Sequence, residues 1–156
     1  MPALAQTAAV PASPAAAFLA ANRAKPGVVE TPSGLQYQVL APGDRGTKPG
    51  DTDVALVVYE GRLTDGTLFD KSPWFVPMPV SAVVPGFAEA LKQMPNGSRY
   101  RFWIKPELAY GAAEQKDGEG KVVIPANAVL VFEVRMLDFI PAAKYYALMN
   151  GSPTGG

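Results

Sequence analysis

A chain of 156 residues has room for one domain of ordinary size with a short surplus. Basic and acidic side chains number 14 each, so the net charge is zero, which argues against an electrostatic nucleic-acid binder, since that needs a basic face. Cys and His are both absent, which excludes a disulfide framework, a thiol nucleophile, an imidazole base, a Ser-His-Asp triad and a His/Cys zinc site.

Residues 1–22 carry no charge. Pro2, Pro11 and Pro14 interrupt them, so no membrane span is expected there. Ala3-Leu4-Ala5 before Gln6 resembles the end of a signal peptide, which points to an exported protein expressed without its signal; an Ala/Pro-rich disordered tail is a compatible reading. Ser13-Pro14 supplies an N-cap and a proline at the first helical position, so a short helix follows, with Phe18 and Leu19 as anchors and Lys25-Pro26-Gly27 as its stop. Ten residues do not hold a helix alone, so this one must dock or fray.

From Gly34 the period becomes two. Leu35, Tyr37 and Val39 alternate with Gln36 and Gln38, the pattern of a half-buried strand. Residues 53–59 are apolar on both faces and read as a central strand. Thr64-Asp65-Gly66-Thr67 turns the chain, and Leu68-Phe69-Asp70 lies on the return. Residues 71–79 hold three prolines and read as a loop or a broken edge strand. Residues 85–94 form the clearest helix, with Phe87, Leu91 and Met94 on one stripe. Asn96-Gly97 turns into a strand that sends Tyr100, Phe102 and Ile104 one way and Arg99, Arg101 and Trp103 the other. Residues 111–121 read as a polar, Gly-rich loop. Residues 129–137 form a long strand with Leu130, Phe132, Val134 and Met136 on one face, and residues 141–150 a short terminal helix.

The fold class is α+β: a curved antiparallel sheet of about five strands wrapped on one short helix, preceded by a short N-terminal helix. The gap between sheet and helix would be lined by Tyr59, Phe69, Phe87 and Phe132. Motif searches find no P-loop and no dinucleotide fingerprint. Residues 114–120 are acidic and Gly-rich but lack calcium-loop spacing, and read as a solvated loop. What remains is an apolar constellation of Tyr59, Phe69, Val83, Val84, Phe87, Tyr110, Ile124 and Phe132, with Asp70 beside it. A plain hydrophobic core would account for most of these. Asp70 and Tyr110 would not: a carboxylate beside apolar rings needs a hydrogen-bonding reason, and Tyr110 sits at a loop entry.

The segments at 58–70, 83–91, 104–111 and 124–134 resemble, in order, the signatures of FKBP-type peptidyl-prolyl isomerases. Residues 31–37 and the Ala-rich helix before them resemble the Mip-like, bacterial exported subgroup. The resemblance spans residues 28–140, leaving 1–27 as an N-terminal extension and 141–156 as a terminal helix and tail. It implies an enzyme without cofactor or metal that assists folding outside the cytoplasm, in the periplasm or at the outer membrane. It implies that Phe87 floors a proline pocket with Tyr59, Phe69 and Phe132 as walls and Val83 beside them. The Val84 N–H and the Tyr110 hydroxyl would hold substrate carbonyls. Asp70 would orient polar groups at the rim, and Ile124 would close the site. Partners would be proline-containing polypeptides and macrolide inhibitors of the rapamycin class, with no nucleic acid and no membrane span. A monomer is expected, with a weak dimer as the alternative. The second functional reading is a chaperone module that binds proline segments with weak catalysis. The chain departs from the family at Val76 and Met78, which replace aromatic residues, and at residues 112–123, a longer loop lacking a ring side chain.

Overall fold

The computed structural model describes residues 13–44 and 46–150; the signal-like Ala3-Leu4-Ala5 and the C-terminal tail lie outside them. Helix α1 (Pro14–Arg23) starts where its local chemistry dictates: Pro14 occupies the first turn and the Ser13 Oγ accepts from the Ala16 N–H at 3.0 Å. Strands β1 (Val29–Glu30), β2 (Gln36–Ala41), β3 (Asp53–Arg62), β4 (Leu68–Lys71) and β5 (Val76–Pro79) follow. A 3-10 turn (Val80–Ala82) leads into helix α2 (Pro85–Leu91) and strand β6 (Arg99–Ile104). A second 3-10 turn (Pro106–Leu108), a small hairpin of β7 (Gln115–Lys116) and β8 (Val122–Ile124), the long strand β9 (Leu130–Pro141) and helix α3 (Ala142–Met149) complete the chain.

The main sheet runs β1-β2-β6-β9-β3-β4, with β5 paired to the first half of β3, and every pairing is antiparallel. Its seven strands exceed the five read from periodicity because β1 and β5 are too short to show a period. The proline-rich β5 is the broken edge strand anticipated. Residues 111–121 are not wholly loop: β7 and β8 pair, and the Asp117 carboxylate closes their turn by accepting from the Glu119 and Lys121 N–H groups. That pairing comes from side-chain capping, which a two-residue strand does not advertise by alternation.

Strand β9 is the spine. Leu130, Phe132, Val134 and Met136 are buried along one face until a register shift between Met136 and Asp138, beyond which Phe139 packs against the core instead. Against that face lies α2, burying Phe87, Ala90 and Leu91. Gly86 allows the close approach, since a Cβ there would collide with Ile104 of β6.

The opposite face is closed by α1. Leu19 packs with Trp103 and Val129, and a buried polar bolt fixes the helix: the Asn22 Nδ2 donates to Gln36 Oε1 at 2.8 Å, and the Gln36 Nε2 donates to the Leu19 carbonyl at 2.9 Å. Gln36 was expected on the solvent side of β2; it is fully buried because α1 covers that side. Asn22→Ala should leave the Gln36 carbonyl oxygen buried without its donor and cost about 1–3 kcal/mol. Urea unfolding measures it, and an unchanged midpoint would mean that the bolt does not hold α1.

Candidate active site

Four rings converge between α2 and the sheet. Phe132 is the hub: its ring centroid lies 4.8 Å from Phe87, 5.6 Å from Phe69 and 6.1 Å from Tyr59, and the first two contacts are edge-to-face. Tyr59 also meets Phe87 edge-on at 5.9 Å. Such pairs are worth about 0.5–1.5 kcal/mol each beyond their burial. The convergence is set by register, because Phe132 of β9 stands opposite Gly61 of β3, and the missing Cβ leaves room for the rings of Phe132 and Phe69.

These rings border a cavity of about 230 Å³ whose other lining residues are Asp70, Met78, Ala82, Val83, Val84, Tyr110 and Leu130. The volume suits a small ring rather than a cofactor. A larger cavity, about 710 Å³, opens on the outer face beside α1. Its walls carry the ion pairs Arg62–Glu60 and Arg101–Glu133, an already neutralised charged surface, so size does not decide between them. The small cavity is distinguished by converging rings under a polar rim.

Each rim group is held from the backbone outward. Tyr110 follows the 3-10 turn at Pro106; the Gly111 N–H donates to the Pro106 carbonyl at 2.8 Å, and the Gly111 carbonyl accepts from the Asn127 N–H at 2.7 Å. Gly111 and Asn127 both take left-handed backbone angles, φ 56° and 58°, which glycine and asparagine tolerate best. Tyr110 itself remains 40% exposed, its ring available at the mouth. Val84 precedes α2 and its carbonyl accepts from the Ala88 N–H, while its own N–H has no protein acceptor among the described residues. The Asp70 carboxylate accepts from the Tyr59 hydroxyl at 2.9 Å and from the Lys71 N–H at 2.8 Å. This supplies the hydrogen-bonding reason its position demands. Burial, then the Asp70 hydrogen bond and charge, push the Tyr59 phenol up to about 12.

Of the residues singled out from sequence, Tyr59, Phe69, Asp70, Val83, Val84, Phe87, Tyr110 and Phe132 meet at this cavity. Ile124 does not line it: the side chain is buried in the core at the end of β8, where its backbone pairs with Gln115. Ala82 and Leu130 line the cavity without having been singled out. Leu130 could have been found from its alternation with Phe132; Ala82 carries no signal. No group of three or more potential metal ligands occurs among the described residues.

This fold, an antiparallel sheet crossed by a short helix, recurs in solved peptidyl-prolyl isomerases. A crystal structure of such an isomerase from Pseudomonas syringae pv. tomato superposes with a TM-score of 0.72 at 35% identity, covering 80% of this chain and 90% of that one. The FkpA structure from Escherichia coli gives 0.72 at 36% identity, over 82% and 58% of the two chains. The chain belongs to the FKBP-type peptidyl-prolyl cis-trans isomerase family, whose model matches residues 45–137. A second model, for the domain amino terminal to such isomerases, matches residues 3–39. Within the family, the chain is 48% identical to the FkpA isomerase of Aeromonas hydrophila over 77% of its own length and 43% of the relative's. It is 42% identical to the outer membrane protein MIP of Legionella longbeachae, over 81% and 53%. The chain thus spans about half the length of these curated relatives.

The raised Tyr59 pKa has a definite sign. The folded state favours the neutral phenol, so its contribution is complete below the ordinary value of 10.0 and is lost as pH rises to about 12. Urea midpoints measured across that window should fall more steeply in the parent protein than in Tyr59→Phe. Parallel curves would mean that the phenol is not held by its surroundings.

Proposed function

We propose that the chain catalyses cis–trans isomerisation of X–Pro peptide bonds, with the proline ring in the cavity over Phe87. The observation that carries this reading is a ring-lined cavity of about 230 Å³ whose ionisable lining side chains, among the described residues, are Tyr59, Asp70 and Tyr110. The barrier to amide rotation is about 18–20 kcal/mol and reflects lost resonance. At a right-angle twist the carbonyl is less polarised than in the planar amide. Apolar walls compensate poorly for the lost hydration of the planar form and so favour the twisted one. Each 1.4 kcal/mol or so of that difference gives about tenfold in rate. No bond to the enzyme forms, and no proton changes hands.

The four rings grip proline in planar and twisted states alike, which sets affinity. In this reading the Val84 N–H and the Tyr110 hydroxyl donate to the carbonyls flanking the bond. Asp70 acts through Tyr59, fixing the hydroxyl and ring orientation of one wall. The isomerase unit is residues 28–140, preceded by an N-terminal extension, residues 1–27, which contains α1. We also propose that the protein is exported and acts on polypeptides folding outside the cytoplasm; its likeness to a relative named as an outer membrane protein supports this. Detection of the native protein solely in a cytoplasmic fraction would reject export.

A protease-coupled assay on X–Pro tetrapeptides, beside thermal melts, tests the catalytic reading. Phe87→Ala should lower affinity and rate together and destabilise by about 3–5 kcal/mol, since the ring is buried. Phe87→Trp should keep activity. Tyr110→Phe and Asp70→Ala should each reduce turnover by about tenfold or less, with smaller effects on stability. Full activity in both would leave apolar contact as the sole agent, and an inactive parent protein would favour the chaperone reading.

Macrolides of the rapamycin class carry a six-membered analogue of the proline ring and should compete for the same cavity. Calorimetric titration should give a saturable heat that Phe87→Ala abolishes. Absence of binding at roughly tens of micromolar ligand would count against the cavity as the proline site.

A further inference from the structure

We infer that Trp74 is a second, apolar contact for the polypeptide, taking a large apolar side chain three or four residues from the proline. The inference rests on the isomerase reading of the cavity. Trp74 is 74% exposed, the most exposed of the large apolar side chains among the described residues. It stands four residues after Asp70 and four before Met78, and both of those line the cavity. At about 3.3 Å per residue, neither wall residue is more than about 13 Å from it along the chain. That is the span an extended peptide covers in four residues.

The connection between β4 and β5 is also fastened to the site. The Ser72 N–H donates to the Tyr59 carbonyl at 3.0 Å, and the Tyr59 N–H donates to Ser72 Oγ at 3.0 Å. Pro73 and Pro77 fix the backbone angle on either side, and Phe75 meets the indole edge-on at 6.3 Å. An indole held in water by a fastened, proline-stiffened loop is a preorganised apolar surface with little ordering cost on binding.

The test uses two blocked peptides with the same central Leu-Pro bond: a tetrapeptide, and a dodecapeptide with a Leu four residues from the proline on each side. Trp103, the other tryptophan, is buried, so iodide quenching of fluorescence reports Trp74. The saturating dodecapeptide should protect Trp74 from iodide, and the tetrapeptide should not. In Trp74→Ala, the ratio of kcat/KM for the long peptide over the short one should fall about fivefold, and Trp74→Phe should restore most of it. Unchanged quenching with the long peptide bound, or an unchanged ratio, overturns the assignment and leaves Trp74 a bare surface residue. Protection without isomerisation of either peptide would uphold the contact and reject the isomerase reading alone.

Discussion

The site depends on one close approach: bare backbone at Gly61 beneath two aromatic rings. A Cβ there would lie 2.7 Å from both Phe132 and Phe69. Because β9 and β3 place Phe132 directly opposite Gly61, any side chain on that residue would drive the rings toward the cavity or off the sheet. Phe87 and Tyr59 both lean on Phe132, so the displacement would spread through every wall. Close-packed interiors transmit such strain rather than absorb it. The small cavity is therefore a property of strand register as much as of its lining residues.

The polar groups sit where they do not spoil this arrangement. The Tyr59 ring belongs to the wall and its hydroxyl to the rim, and Asp70 satisfies that hydroxyl from the exposed side. Placed deeper, the carboxylate would incur a larger desolvation cost. The result separates tasks in space: apolar contact in the cavity, hydrogen bonding at its mouth. Neither His nor Cys is needed for the isomerisation we propose, because its barrier is conformational and calls for no nucleophile or base.

The sequence was legible where residues report their own environment. The alternation of Leu130, Phe132, Val134 and Met136 marked the buried face of β9, and Ser13-Pro14 marked the start of α1 within a residue. It was illegible where the environment comes from elsewhere in the chain. Gln36 looks solvent-facing until α1 is laid over it. Ile124 lies within a site-like motif, yet β8 turns its side chain into the core. The β7–β8 hairpin is closed by a carboxylate, which leaves no periodic trace. Most of the cavity was readable because its rings, with Asp70 and Tyr110 beside them, form a constellation that a plain core does not explain; Ala82 was not, since alanine fits almost anywhere.

The edge strand β5 carries a further consequence. Its Pro77 and Pro79 stand opposite Leu56 and Val54 and alternate along the strand, so neither offers an N–H to the outside of the sheet. An unprotected edge invites another strand to zip onto it. This edge lies next to the connection bearing Trp74. With its outward donors deleted, the border can brush against another extended chain without being extended by it. Proline thus serves in the chain's own backbone to keep a neighbouring strand from becoming a permanent part of the sheet.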